Sequence, residues 1–149
     1  MSYATVEAGV ATVIKKLANY STTNVSQDDV RVLANGVARA AILSRGGSSR
    51  EPVTLGITTY TIQNTWITNI YIYVPMAAEY ATTKTNLDSE VDAVLAELAK
   101  WPNLAGVSGV FNSLAEVVSE PEIFVQGINW LRTVMEVVTM ELVDITRSE

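Results

Sequence analysis

Histidine and cysteine are both missing from the 149 residues. The first absence removes the side chain that titrates nearest neutral pH, and with it the usual general base and the commonest metal ligand. The second removes every thiol nucleophile, any thiolate metal site and any disulfide framework, without reporting on redox compartment. Catalysis is left with a carboxylate pair or a serine–lysine pair, and enzymatic function is not the expectation. Charged residues are sparse at 17%, against 48% apolar, and the mean hydropathy is slightly positive. So little charge on so apolar a chain hints at apolar surface reserved for a partner. No run approaches the roughly 18 consecutive apolar residues that mark a membrane-spanning helix. Residues 1–16 lack the basic start and apolar core of a signal peptide, so synthesis in a cytosol is expected. Acid exceeds base, 16 to 10, for a net charge of −6. That balance argues against sequence-independent nucleic-acid binding, which rests on neutralising phosphates. It suits the wall of a channel through which DNA slides.

The length fits a single domain over residues 1–149, and a globule of that size buries about 68–70% of its unfolded surface. Val6, Val10, Val13, Ile14 and Leu17 recur at helical spacing and predict a helix over 4–19, with Lys15 and Lys16 in its last turn. Ser26-Gln27-Asp28-Asp29 has the form of a helix start and Gly36 of a stop, predicting a short helix near 27–35. Residues 37–44 read as a short strand. Residues 45–52, rich in glycine and serine, read as a loop. The clearest signal spans 57–74. Tyr60, Ile62, Trp66, Ile70, Ile72 and Val74 fall on one face; Thr59, Thr61, Gln63, Thr65, Asn69, Tyr71 and Tyr73 fall on the other. Such alternation of β-branched and aromatic residues predicts a long strand ending at Pro75. Thr85-x-x-Asp88 resembles a capping box, and Leu87, Val91, Val94, Leu95, Leu98 and Trp101 form the stripe of a second long helix stopped by Pro102. Two more strands are expected near 107–118 and 130–145, with turns at 119–122 and 126–127.

This order predicts an α+β fold: an antiparallel-rich sheet of about four strands in two hairpins, with two main helices packed on one face. Two helices cover one side of such a sheet, not both. Yet the last strand is apolar on both faces, with Val134, Val138, Met140 and Leu142 on one and Met135, Val137 and Val143 on the other. Contiguous apolar surface left open on a domain marks an interaction site, so self-association is expected.

Clusters that resemble chemical sites have simpler explanations. Arg45-Gly46-Gly47-Ser48-Ser49-Arg50 can cradle an anion, but it lacks the Gly-Lys-Ser/Thr ending of a phosphate loop and leads into a strand. Asp88, Glu90 and Asp92 lack the glycine and distal glutamate of a calcium loop and match carboxylates early in a helix. Glu116, Glu120 and Glu122 lie in or beside a turn, while Glu136 and Glu141 have opposite strand parity and so cannot share a face. Trp66, Trp101 and Trp130 have no basic stripe beside them for base stacking and read as core or interface anchors. No catalytic, cofactor or metal residue is expected.

An N-terminal amphipathic helix, the short Asp28-Asp29-Val30-Arg31-Val32-Leu33 segment and the strand Ala38-Arg39-Ala40-Ala41-Ile42-Leu43 open the chain. The 45–51 loop and the long strand Trp66-Ile67-Thr68-Asn69-Ile70-Tyr71-Ile72-Tyr73-Val74 follow. A helix, a turn-rich hairpin and the closing strand Trp130-Leu131-Arg132-Thr133-Val134-Met135-Glu136-Val137 complete the series. In this layout, across most of its length, the chain resembles the tail terminator (tail-completion) proteins of long-tailed phages. The resemblance implies a homo-oligomeric ring, usually of six subunits, that caps the growing tail tube, stops its polymerisation and presents a surface to the head. The implied partners are the tail tube protein and a head-completion or neck protein. DNA passes through the lumen without sequence-specific binding, and no membrane is involved. The implied location is the tail or neck of a virion, after synthesis in host cytoplasm. Expected interface residues are Arg45, Arg50 and Glu51 in the loop, Trp66, and Val137, Val138 and Met140 on the last strand. A head-completion, stopper or tube protein shares the layout. A small-ligand regulatory domain is the alternative of a different class, predicting a monomer or dimer with a concave pocket.

Overall fold

The computed structural model describes residues 2–27, 33, 36–56 and 58–146. In chain order its elements are helix α1 (Tyr3–Ile14), strands β1 (Val25–Ser26), β2 (Ala40–Leu55) and β3 (Thr59–Pro75), helix α2 (Tyr80–Lys100), and strands β4 (Val110–Val117), β5 (Glu122–Gln126) and β6 (Ile128–Thr146). The strands form one sheet in the order β1-β2-β3-β6-β4, and β5 shares the outer edge of β6 with β4. Pairing is antiparallel except between β1 and β2. The α+β, antiparallel-rich expectation holds, but the sheet has six strands among the described residues, because β1 and β5 join the expected four.

Alternation decides which side of the sheet is core. The even residues of β3 and the odd residues of β6 share a face, since Ile70 pairs with Met135, Thr68 with Val137 and Ile72 with Thr133. Both helices lie on that face: Val6, Val10, Val13 and Ile14 of α1, with Leu87, Val91, Val94 and Leu98 of α2, join Leu43, Ile70, Ile72, Met135 and Val137 in one core. Each such large side chain contributes about 1.5–3 kcal/mol by leaving water.

The boundaries differ from expectation for local reasons. Helix α1 stops at Ile14 instead of running to 19, because Lys16 and Leu17 donate three residues back, to Val13 and Ile14, and tighten the chain into turns. Helix α2 starts five residues before Thr85. The Thr85 hydroxyl donates to the Ala81 carbonyl inside the helix, so it caps nothing, while Thr83 accepts from the Ala77 amide at the true start. Residues 45–52 are not a loop. They continue β2, paired with β3 as far as Leu55, with bulges at Gly46 and Val53. A Cβ at Gly46 would lie 2.5 Å from Ile67 Cγ2, and Gly47 has φ 134°. The glycines thus let a strand bend past its neighbour. The expected short helix near 27–35 falls mostly outside the described residues.

Candidate assembly surface

The second face of the sheet carries the odd residues of β3 and the even residues of β6. One end of it is closed: Leu33, Ala40, Ile42, Tyr73 and Trp130 form a small cluster with Tyr71 and Phe124 packed against it. Arg132 ties this end together. Its Nε lies 2.7 Å from Glu122 Oε1, its Nη1 donates to the Tyr73 hydroxyl at 3.3 Å, and its guanidinium sits 4.7 Å from the Phe124 ring centre. Beyond Tyr71 no described element covers the sheet. Ile67, Val134, Val138 and Met140 are half-buried, while Leu114 is 60% exposed and Leu142 47%. In register, Leu114 faces Val138 and Asn112 faces Met140, and Leu114, Ala115, Glu116, Val138 and Met140 line a groove. The next rung sets Glu116 directly opposite Glu136. Like charges so placed repel, and neither has an ion-pair partner among the described residues.

Exposed apolar side chains also line β4 and β5 on both sides of the sheet, since Val117, Ile123 and Val125 pair with Met135, Leu131 and Asn129 on the helix face. Phe111, Val117, Val118, Ile123, Val125 and Ile128 are each more than 40% exposed. At the opposite end of the sheet, β2 from Arg45 onward forms an arm with β3, and residues 45–56 are all exposed. Its outer edge beyond Ile42 is unpaired among the described residues, since β1 meets only Ala41 and Ile42. Arg45, at the root of the arm, pairs with buried Glu7 at 3.3 Å and lies 5.4 Å from the Tyr3 ring centre. Arg50 and Glu51 stand farther out without an ion pair among the described residues. Val53 and Leu55, near the tip, are 54% and 74% exposed.

Two of the expected interface residues belong to the core instead. Trp66 is buried on the helix face, edge-on to Tyr3 with ring centres 4.9 Å apart, and its indole donates to Glu141. Val137 is fully buried on the same face. Val138 and Met140 do reach the open face, and Arg45, Arg50 and Glu51 lie on the arm. The Glu116–Glu136 pair and the β4–β5 margin escaped sequence reasoning, because both depend on cross-strand register, which a single strand's pattern does not carry.

The remaining candidates resolve into structural roles. Glu141 is buried on the helix face, away from Glu136 as parity requires, and accepts from Asn64 Nδ2 at 2.9 Å and Trp66 Nε1 at 3.2 Å. Glu90 accepts from the Tyr20 hydroxyl at 2.8 Å and lies 2.8 Å from Arg39 Nε, an ion pair too bent to be a hydrogen bond. Burial, and then the adjacent Glu90 carboxylate, push the Tyr20 hydroxyl far above its usual range. Asp88 and Asp92 point to solvent, and no group of three or more acidic side chains suited to a metal occurs among the described residues. Trp130 is fully buried, and Trp101 lies under Lys16 with the ammonium 4.3 Å from its ring centre. No described helix is long and apolar enough to cross a membrane. No protein-family model matches this chain, and no curated protein matches it in sequence.

Proposed function

We propose that this chain is a structural subunit that assembles through its open sheet face into a closed ring, of the kind that caps a phage tail tube, stops its growth and joins it to the head. The observation that carries the reading is an apolar strip on the open face, made by Ile67 of β3, Val134, Val138, Met140 and Leu142 of β6 and Leu114 of β4, which no element covers among the described residues, set opposite a helix-covered face of ordinary burial. Monomeric domains seldom leave a large contiguous apolar patch uncovered. The layout of helices, hairpin and closing strand supports the phage-terminator version of that reading.

Ring closure follows if the two contacting surfaces differ. Here the arm on β2 and the groove beside β4 lie toward opposite edges of the sheet and are different surfaces, so their contact is head-to-tail and generates a ring when its rotation closes. Termination then requires one side of the ring to accept the last layer of tube and the other to offer nothing on which a further layer can add. Acidic net charge keeps a lumen from holding DNA. No residue of the chain is assigned a catalytic, cofactor or metal role in this reading.

Native mass spectrometry with negative-stain imaging tests it. Closed rings of one stoichiometry, without long tubes, are the expected result. Long tubes would move the chain to the tube proteins, and a monomer at every concentration would overturn the reading.

A further inference from the structure

We infer that the open face receives the β2–β3 arm of a second copy of this chain, keyed by Arg50 against the Glu116–Glu136 pair. The inference rests on the assembly reading above and names the partner for that surface. Glu116 and Glu136 face each other across β4 and β6, an arrangement that repels unless a cation sits between them. The site around them is apolar, with Leu114, Val138 and Met140 along the same groove. What fits it is a positive charge flanked by aliphatic side chains.

The arm has that composition. Arg50 has no ion pair among the described residues, and Val53 and Leu55 beside it are mostly exposed. The other described arginines are committed: Arg39 to Glu90, Arg45 to Glu7 and Arg132 to Glu122. Lys16 lies on Trp101 and Lys100 pairs with Glu97. Lys15 and Lys84 are uncommitted but belong to the helix layer, on the far side of the sheet from the glutamates.

Geometry makes the contact intermolecular. Arg50 pairs in register with Asn64, a helix-face residue, whereas Glu136 pairs with Asn69 on the open face. A subunit's own Arg50 therefore projects from the wrong side of its sheet to reach its own glutamates. A neighbouring copy, turned so that its arm crosses the groove, brings charge and apolar tip together.

The experiment reverses the charges one at a time and then together. Arg50→Glu and Glu136→Arg should each raise the protein concentration at half-assembly by about tenfold or more. Their thermal melts at low concentration should stay close to wild type, because neither residue is in the core. The double variant R50E/E136R should recover most of the lost assembly. Single variants that assemble like wild type, or a double variant no better than the weaker single one, would overturn the inference. If the wild-type chain assembles while these reversals are silent, only this contact is refuted. If the wild-type chain never assembles, the contact and the assembly reading fall together.

Discussion

Replacing Val137 and Val138 separately by aspartate places the same charge one residue apart, on opposite faces of β6. Val137 is fully buried beside Thr68, Met135 and the helix layer. Losing its burial costs about 1.5–3 kcal/mol, and an unpaired buried carboxylate adds about 3–5 kcal/mol. Domains of this kind are stable by about 5–15 kcal/mol, so Val137→Asp removes about a third of the stability or more. At about 2–4 °C per kcal/mol, its melting point should fall by at least about 10 °C or the transition should vanish. Val138 is half-buried and meets water on the open face, so aspartate there should cost only about 1 kcal/mol, chiefly in strand propensity. Its fold should survive and its assembly fail. Far-UV circular dichroism melts at low concentration isolate the fold, since assembly itself raises apparent stability with concentration; native mass at high concentration reads the oligomer. A Val137→Asp variant that melts within a few degrees of wild type would refute the placement of core and face. A folded Val138→Asp variant that assembles normally would remove the open face as the interface.

Three further outcomes follow from buried polar groups on the helix side. Glu141→Ala strips the acceptor from Asn64 and Trp66, two buried donors; at about 1–3 kcal/mol for each orphan, urea denaturation should show a loss of several kcal/mol, and a loss under 1 kcal/mol would contradict the burial. Thr139 is fully buried with a hydroxyl lacking any hydrogen-bond partner among the described residues, so Thr139→Val should raise stability by about 1 kcal/mol, read as a higher urea midpoint with unchanged slope. Tyr20 holds its proton to higher pH in the fold than its value of about 10 in the unfolded chain. Above that pH the unfolded chain releases a proton that the fold retains, so this contribution is complete below pH 10 and drains away as pH rises. Tyr20→Phe should flatten that part of the alkaline stability profile, and an equally steep decline in the variant would refute the assignment.

How legible the fold was depended on how far each signal could be read within one segment. The alternation over 57–74 reports both the existence of β3 and its two faces, because a strand's side-chain period is a property of its own residues. The double-sided apolar pattern of β6 likewise foretold a face that two helices cannot cover. Gly46, Gly47, Ser48 and Ser49 look like a loop in isolation, whereas the neighbouring β3 supplies backbone partners along β2 except at the bulges around Gly46 and Val53. Strand β5 was hidden by the turn residues on either side of it. Trp66 and Val137 were assigned to the interface although their parity matched core residues; Trp66 in particular shares its face with Ile70 and Ile72, which the pattern over 57–74 already showed. The facing of Glu116 and Glu136 required the β4–β6 register, and no residue pattern in either strand states it.

Under the proposed assembly, the edges of the sheet favour head-to-tail contact over two like edges meeting. An exposed edge invites pairing unless charge, proline or a bulge blunts it. The free edge of β2 has all three, with Arg45, Arg50 and Glu51, Pro52, and bulges at Gly46 and Val53. The proline and bulges of two such edges therefore interrupt any ladder between them. The β4 edge carries one charge, Glu116, no proline and one bulge near its start, beside exposed Phe111, Leu114 and Val117. Two β4 edges meeting would leave the arms bare. Only the unlike combination, arm to β4-side groove, brings Arg50 to the glutamates and covers Val53 and Leu55 at once. Under the proposed reading, that asymmetry is what turns a sticky sheet into a closing ring.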